Sequence, residues 1–413
     1  MGSKTGRGTT SYAYPLAWTS QFYFCALPFR LDSYKSCNFG CEYCFVAHRG
    51  GRFHSNTVSF ADVGRVRKQL DVRKPASVIS ECAAHRLPLH FGGMSEPFRH
   101  GELCTKATYN VLSLLVELEY PTLISTKSYL PAVEPYLGLL RSMRYVALQF
   151  SFSTLDDDVA SKLEPYAPRP SKRLWAMYML SQAGLWVSCR FQPFITGVSG
   201  HIPTIVRTVA EAGARHIVVE HLKLGLYGTA RTLAILRSRC GGDSFIQNYD
   251  LRMLRRIGAE YELLPPYKIE NLKAFREETR RHNITMGVGD NDFHDLGDGP
   301  NCCGVDNLPG FENWFRHQAT WAIWERDENN LVHYPTIEHE WVPQGSIKRY
   351  INSKCRLGTD GTPCSTVDEY IRRKWNNSTE LHSPLECANV VPAGFKDSDG
   401  NLVYRYQPKY KLD

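Results

Sequence analysis

Apolar and polar positions follow two different periods between residues 21 and 290. Short alternating or continuous apolar runs predict strands at 21–31, 88–91, 122–125, 145–153, 186–194 and 216–221, with a further one at 284–288. Between them, apolar residues recur at helical spacing over 59–72, 102–119, 133–141, 156–163, 171–183, 204–212 and 269–282. Ser59 reads as an N-cap that sets Phe60, Val63, Val66 and Leu70 on one face. Gly184 and Gly213 close two of the helices. Residues 222–265 look helical, with Gly241-Gly242 as a break. Regular alternation of strand and helix argues for parallel βα units. No G-x-G-x-x-G follows the first strand, so a dinucleotide-binding fold is not favoured. The expectation is an α/β fold, a partial (β/α)6 barrel of TIM type over residues 21–299. Residues 1–20 are polar and are expected as a flexible arm. Residues 289–299 are acidic and turn-rich; beyond them, 300–413 are expected as an irregular C-terminal lobe that closes the barrel mouth.

The predicted first strand runs directly into Cys37-Asn-Phe-Gly-Cys41-Glu-Tyr-Cys44, a C-x3-C-x2-C spacing. A four-iron cube held by cysteine thiolates normally takes four of them, so three leave one iron open to a small molecule. Zinc sites more often pair two C-x2-C halves, or one half with histidines; here His48 is the only close histidine and no second half follows. The spacing, with Tyr43 before the third cysteine, resembles the radical S-adenosylmethionine (radical SAM) superfamily. The resemblance implies one 4Fe-4S cluster on Cys37, Cys41 and Cys44, with SAM chelated to the open iron. It implies an electron donor such as flavodoxin or ferredoxin. It also implies cleavage of SAM to a 5′-deoxyadenosyl radical that takes a hydrogen from substrate.

Further candidates lie at the ends of predicted strands, where barrel folds carry their chemistry. Gly92-Gly93-Met94-Ser95-Glu96-Pro97 follows the second strand. Its glycines either let the backbone approach a ligand or make an ordinary turn; the resemblance implies contact with the amino group of SAM. Thr126-Lys127 ends the third strand, and Ser151 and Ser153 end the fourth. Such hydroxyls bind the carboxylate or ribose of a nucleoside, or simply cap the next helix. The resemblance therefore marks Tyr43, Gly92, Gly93, Ser95, Glu96, Thr126, Lys127, Ser151 and Ser153 as cofactor-binding.

Three stretches narrow the comparison: Thr126-Lys127-Ser128; Phe150-Ser-Phe-Ser153 leading through Leu163-Glu164-Pro165 and Pro168 to Arg173-Leu174; and Ala183-Gly184 followed by 187–193. Their order and spacing resemble the spore photoproduct lyase branch, over roughly residues 30–200. That branch implies a thymine derivative in DNA as substrate. One departure matters. The lyases place a hydrogen-donating cysteine just before a Ser-Asp pair, and this chain has Met94 before Ser95-Glu96. A thioether has no S–H to give, and Cys82, the nearest upstream thiol, precedes the strand. A product radical without a donor takes its hydrogen back, which is the logic of an isomerase.

The chain is also similar to the radical SAM isomerases of bacteriophage thymidine hypermodification, which move a glycinyl group on the thymine methyl from N-linkage to C-linkage and so help shield viral DNA from host restriction. A glycinyl substrate needs a cation for its carboxylate and an acceptor for its amine. Lys127 and Arg190 are the candidate cations; Asp290, Asp292, His294 and Asp295 are the candidate acceptors. A photolesion lyase, a non-catalytic metal-binding nucleic-acid protein, and a radical enzyme acting on RNA or peptide stay open as alternatives.

Composition adds boundaries. The net charge of +7 is compatible with a polyanionic partner, and basic groups recur at Arg252, Arg255 and Arg256, at Arg280 and Arg281, and at Arg372, Arg373 and Lys374. Each such group is most often a solvated helix face. No apolar run reaches membrane-spanning length, the first residues lack a signal-peptide core, and Gly6 breaks a myristoylation pattern. Thirteen cysteines in 413 residues without an export signal point to reduced thiols and a cytoplasmic protein, in the host cytoplasm if phage-encoded. Cys302, Cys303, Cys355, Cys364 and Cys387 show no C-x2-C pair, so an auxiliary cluster is not expected.

Overall fold

The computed structural model describes residues 9–12, 14–19, 23–48, 58–70, 72–73, 77–225, 229–240, 249, 251–257, 260–338, 340–344, 364–377 and 383–412. Its centre is an eight-stranded sheet. Seven strands are parallel and neighbour one another in chain order: β3 (Phe29–Leu31), β5 (Leu89–Phe91), β6 (Thr122–Thr126), β7 (Val146–Phe152), β8 (Trp186–Phe194), β9 (His216–His221) and β13 (Thr285–Val288). β2 (Leu16–Trp18) adds an antiparallel edge to β3. This is the expected partial barrel, six strands plus the one foreseen at 284–288. β8 and β9 keep their expected bounds: β8 alternates strictly between Val187, Cys189 and Phe191 and the polar Ser188, Arg190 and Gln192, and β9 is buried throughout.

Alternation sorts the barrel into two layers. On one side of the sheet, Leu148, Phe150, Phe152, Val187, Cys189 and Phe191 are fully buried, in one core with residues of the surrounding helices such as Leu115, Met177, Leu180, Val209 and Phe275. On the other side, Gln149, Ser151, Ser188, Arg190 and Gln192 form a polar lining of the interior.

Several expectations change. Residues 21–31 are not one strand: only Phe29–Leu31 pairs. The apolar residues before it serve a different surface. Ala26 and Leu27 pack with Cys303, Val305 and Phe311, and the carbonyls of Tyr23 and Ala26 accept the N–H groups of Ala319 and Phe315 at 3.0 and 3.1 Å. The helix expected at 59–72 is shorter, Val63–Leu70. Ser59 and Phe60 instead belong to β4 (Val58–Ala61), paired in parallel with β1 (Thr9–Tyr12). Asp62 Oδ1, not Ser59, accepts the Arg65 N–H at 2.8 Å to cap the helix. The arm expected over 1–20 therefore contributes two strands. The helix expected at 102–119 breaks at Lys106, whose φ is 52°, into Glu102–Thr105 and Ala107–Glu117.

Residues 222–265 hold a helix, Thr229–Cys240, but also a three-stranded antiparallel sheet of β10 (Leu224–Gly225), β11 (Leu254–Ile257) and β12 (Glu260–Leu263). Gly241-Gly242 lie outside the described residues. Leu222, Leu224, Leu233, Leu236 and Leu263 pack with Tyr43, Leu163 and Ile195, so this insertion caps the carboxyl ends of the strands.

The C-terminal residues take a different place from the one expected. Cys303, Val305, Phe311 and Trp314 pack with Tyr145 and Trp186, at the amino ends of β7 and β8. His216, at the start of β9, reaches the Cys302 carbonyl at 2.8 Å. Further on, the helix Val367–Trp375 and the sheet of β14 (Leu331–Val332), β15 (Val390–Lys396) and β16 (Leu402–Tyr406) join the main core through Trp375, Tyr370 and Tyr404. The Ala388 N–H bonds the Asp292 carbonyl at 2.9 Å, which fixes this part to the segment after β13.

Candidate functional site

β3 delivers the chain to Asp32, which is buried at 3% exposure. Its Oδ1 accepts the N–H groups of Met94 and Ser95 at 2.9 and 3.1 Å, and Arg30 pairs with its other oxygen. The exit of the first parallel strand is thus tied to the glycine-rich loop of the second. The cysteine loop follows, and two backbone hydrogen bonds seat it on residues 163–166: Glu42 N–H to Leu163 O at 2.9 Å and Tyr166 N–H to Phe39 O at 3.1 Å. Gly40, at φ 65°, lies between them; a Cβ there would stand 2.9 Å from the Tyr166 ring.

Burial pushes the Cys37 thiol up to about 11. Cys41 is raised as well, first by burial, then by the Glu164 carboxylate, with Cys37 and Cys44 adding to it while Lys127 opposes. The three sulfurs therefore feel one another. As thiols Cys37 and Cys41 resist ionisation, and positive charge beside them is what would convert them to the thiolates that bind iron. The Phe39 N–H points at Cys37 Sγ from 3.4 Å, the kind of donor that stabilises cluster sulfurs. Among the described residues no three His, Cys, Asp or Glu side chains are gathered as a metal ion would need; the three cysteines supply the donor type that an iron–sulfur cluster takes.

The cysteine loop meets the barrel at a hub absent from the sequence expectations, Glu164. Its side chain is fully buried. Oε1 accepts the Tyr43 hydroxyl and, at 2.9 Å, the Ser153 hydroxyl; Lys127 Nζ lies 3.9 Å away; Oε2 pairs with Arg173. Arg173 also donates to the carbonyls of Pro168 at 2.8 Å and Ser151 at 3.0 Å. Burial opposes the carboxylate charge, but Arg173 and Lys127 outweigh it and hold Glu164 down to about 2. Lys127 also donates to Ser151 Oγ at 2.6 Å. The structure thus gathers Tyr43, Lys127, Ser151 and Ser153 at one rim. The signal for Glu164 lay in Leu163-Glu164-Pro165 and Arg173, stretches that supported the resemblance without being assigned a role.

The glycine-rich loop divides. Gly92 has φ 85°, and a Cβ there would stand 2.6 Å from the Ser125 carbonyl. At Gly93 the nearest atom to an added Cβ is 3.6 Å away. Gly92→Ala is expected to cost on the order of 2 kcal/mol, whereas Gly93→Ala should change stability by about 0.5 kcal/mol or less. Urea midpoints of the two variants check this contrast. Ser95 Oγ bonds the Tyr34 carbonyl. Glu96 accepts Thr126 Oγ1 at 2.6 Å and the N–H groups of Lys127 and Phe98 at 2.8 and 3.0 Å. Ser95, Glu96 and Thr126 are thus buried and occupied in joining the two loops, whereas Gly93, Lys127 and Ser151 are partly exposed.

Deeper in the barrel, a polar ladder crosses the strands. His90 contacts Ser125 Oγ at 2.7 Å, Ser125 reaches Gln149 Oε1 at 3.4 Å, and Arg190 bonds Glu220 at 3.0 Å beside Gln192 at 2.7 Å. Lys223 continues to Glu220 at 3.3 Å. Gln149 Nε2 and Arg190 Nε are buried without a partner among the described residues. Uncharged by burial, His90 falls to about 3.

The loop after β13 is placed differently from its expected role. Asp290 bonds His221 Nδ1 at 2.7 Å and lies 3.4 Å from Lys268. Asp292 takes Lys268 at 3.0 Å and Arg255 at 2.9 Å. Asp295 accepts Asn389 at 2.7 Å and Tyr406 at 2.9 Å, and the Cys387 thiol at 3.2 Å. These three aspartates join the cap and the C-terminal residues to the barrel. His294 stacks on Phe24 with ring centres 6.1 Å apart and meets Asn291 at 3.2 Å; burial lowers it to about 4 and keeps it neutral.

Cys302 and Cys303 lie with their sulfurs 3.9 Å apart, in the cluster that also includes Cys25. Arg190 is close enough that the charges of Cys302 and Cys303 act on it. Cys364 and Cys387 are buried in the main core, and Cys355 lies outside the described residues. The basic groups are locally balanced: Arg281 pairs with Glu277 and Glu278, Arg372 with Asp368, Arg373 with Glu369 and Arg255 with Asp292.

No family model matches the chain. A radical SAM Nα-GlyT isomerase of Pseudomonas phage M6 is 23% identical over 259 residues, which cover 61% of this chain and 51% of that protein. An uncharacterized protein of Mycobacterium tuberculosis is 24% identical over 215 residues, 48% of this chain and 60% of that protein. The chain thus matches between half and three-fifths of the length of these curated relatives. Among solved structures, a spore photoproduct lyase complexed with dinucleoside spore photoproduct shares 13% identity, with 66% of this chain and 79% of that chain covered and a TM-score of 0.45. Streptococcus suis SuiB bound to precursor peptide SuiA shares 19% identity over 52% of this chain and 44% of that one, with a TM-score of 0.36. With its three-cysteine loop at the carboxyl ends of a parallel partial barrel and a named radical SAM relative across 61% of its length, the chain resembles the radical SAM superfamily that its cysteine spacing pointed to.

Proposed function

We propose that the protein is a radical SAM enzyme that isomerises a glycinyl-thymidine in DNA, from N-linked to C-linked, during viral DNA hypermodification. The observation that carries this reading is the cysteine loop seated beside Lys127, Ser151 and Ser153, above a buried polar interior centred on Arg190. Cys37, Cys41 and Cys44 would hold the cluster; Gly93, Lys127 and Ser151 would hold SAM. When bound, the two supply a carbon radical that takes a hydrogen atom from the substrate.

The chain's own part is to receive and orient. Arg190 Nε and Gln149 Nε2 are donors without partners among the described residues, and a substrate carboxylate is a group that would satisfy both. Glu220, already facing Arg190, Gln192 and Lys223, is the acceptor next to that position for an amine. In the isomerisation the C–N bond to the thymine methylene breaks, a bond to the glycinyl α-carbon forms, and the abstracted hydrogen returns. The similarity to the phage isomerase supports this substrate class. The reading places the enzyme in the host cytoplasm with a flavodoxin or ferredoxin as electron donor; among the described residues no helix is long and apolar enough to cross a membrane.

One observation favours a second reading. Cys25, Cys302 and Cys303 sit near Arg190, so the barrel does hold thiols, although none follows the second strand. A lyase acting on a thymine photolesion, with one of them as hydrogen donor, fits that arrangement. Anaerobic reconstitution with dithionite and SAM, followed by nucleoside analysis of two DNAs, separates the readings. DNA carrying N-glycinyl-thymidine should yield a product of equal mass and shifted retention; DNA carrying spore photoproduct should stay unchanged. The reverse result establishes the lyase. Zinc after anaerobic purification, with no 5′-deoxyadenosine formed, establishes a metal-binding protein without this chemistry.

A further inference from the structure

The hub beneath the cysteine loop carries an inference about Glu164, to which the proposed function gives no contact with substrate. We infer that Glu164 sets how readily a cluster on Cys37, Cys41 and Cys44 takes up an electron, acting as a positioning residue that fixes both the seat of the loop and the charge around it. This rests on the reading of those cysteines as cluster ligands.

The geometry supports both halves. Tyr43, between Cys41 and Cys44 in the chain, gives its hydroxyl to Glu164. The residues on either side of Glu164 hold the same loop through backbone: Leu163 O binds the Glu42 N–H at 2.9 Å, and two residues on, the Tyr166 N–H binds Phe39 O at 3.1 Å. The carboxylate therefore keeps a fixed place relative to the cysteines. Its side chain has no exposure to water, so its charge is little screened. Lys127, 14% exposed, lies 3.9 Å away, and Arg173, 1% exposed, pairs with the other oxygen.

The Glu164 carboxylate, tied through Tyr43 to the loop between Cys41 and Cys44, thus brings two cations with it. The potential of an iron–sulfur cluster follows net charge, hydrogen bonding and solvent exposure. With Glu164 neutralised, Arg173 and Lys127 would attract an added electron without opposition, and the reduced cluster would give it up less readily. The carboxylate preserves reducing power, and the cations make its burial tolerable.

The test measures the one-electron midpoint of the reconstituted cluster in the full-length protein, titrated with dithionite and followed by electron paramagnetic resonance. Glu164→Gln should move the midpoint to more positive values, and Lys127→Met to more negative ones. Loosening of the loop alone would not produce opposite signs. Should the Gln variant fail to fold, Lys127→Met decides in its place, since it removes a cation that Glu164 balances. Unchanged midpoints, or shifts of the same sign, in variants with full iron content would overturn this inference alone. A wild-type protein that takes up no iron would overturn the reading beneath it as well.

Discussion

Cys41→Ala should leave a folded protein that has lost its metal and its chemistry together. Iron is expected to fall from about four atoms per chain to near none, and formation of 5′-deoxyadenosine from SAM to background. The loop's own hydrogen bonds explain why the fold should persist. Neither Glu42 N–H to Leu163 O nor Tyr166 N–H to Phe39 O uses the Cys41 side chain. Iron and sulfide analysis, circular dichroism and nucleoside chromatography read the three parts separately. Turnover at the wild-type rate in this variant would remove the basis for any iron-dependent mechanism.

The largest loss of stability is expected from Lys268→Met. Lys268 Nζ is fully buried, 2.9 Å from Glu262, 3.0 Å from Asp292 and 3.4 Å from Asp290. Glu262 belongs to β12 of the cap, and the aspartates to the loop after β13, so one ammonium joins cap and barrel. Removing it leaves three buried carboxylates facing one another, at a cost of roughly 3–5 kcal/mol.

The pH dependence has a definite sign. In the wild type, burial works against the charges of Asp290 and Glu262, but Lys268 and their other partners hold both below the ordinary carboxyl range. Their contribution is therefore full above the unfolded values near pH 4 and is lost as pH falls through the folded ones. Asp292, which burial pushes upward, runs the other way and offsets part of it. In the variant the carboxylates lose their main cation and are pushed up, so the folded state binds protons more readily than the unfolded. The gap between variant and wild type should narrow as pH falls from about 7 to about 5. Urea unfolding at the two pH values checks this; a gap that widens on acidification would contradict the charge assignment.

What could be read in advance follows from distance along the chain. Cys37, Cys41 and Cys44 span eight residues, so they could be read together as a candidate cluster site from their spacing alone. β8 was legible because Val187, Cys189 and Phe191 alternate with Ser188, Arg190 and Gln192, and β9 because Ile217-Val218-Val219 is a continuous buried apolar run. Glu164 was not, because its role arises from Tyr43, Lys127, Ser153 and Arg173, and the contact with Tyr43 bridges 121 positions. The helical spacing at 59–72 misleads at its start because Phe60 is claimed by pairing with β1, a tertiary choice that no local period records. The aspartates of 290–295 looked like free acceptors in a turn-rich loop; their partners His221, Lys268, Arg255, Asn389 and Tyr406 come from distant segments.

The way the cysteine loop is fastened bears on what removal of the proposed metal would do. Its course is set by Gly40, by backbone bonds to residues 163–166 and by the Tyr43–Glu164 contact, none of which uses a cysteine sulfur. A loop shaped by the barrel in this way should keep its seat when a chelator strips iron, and re-addition of iron and sulfide should then restore the metal without a refolding step.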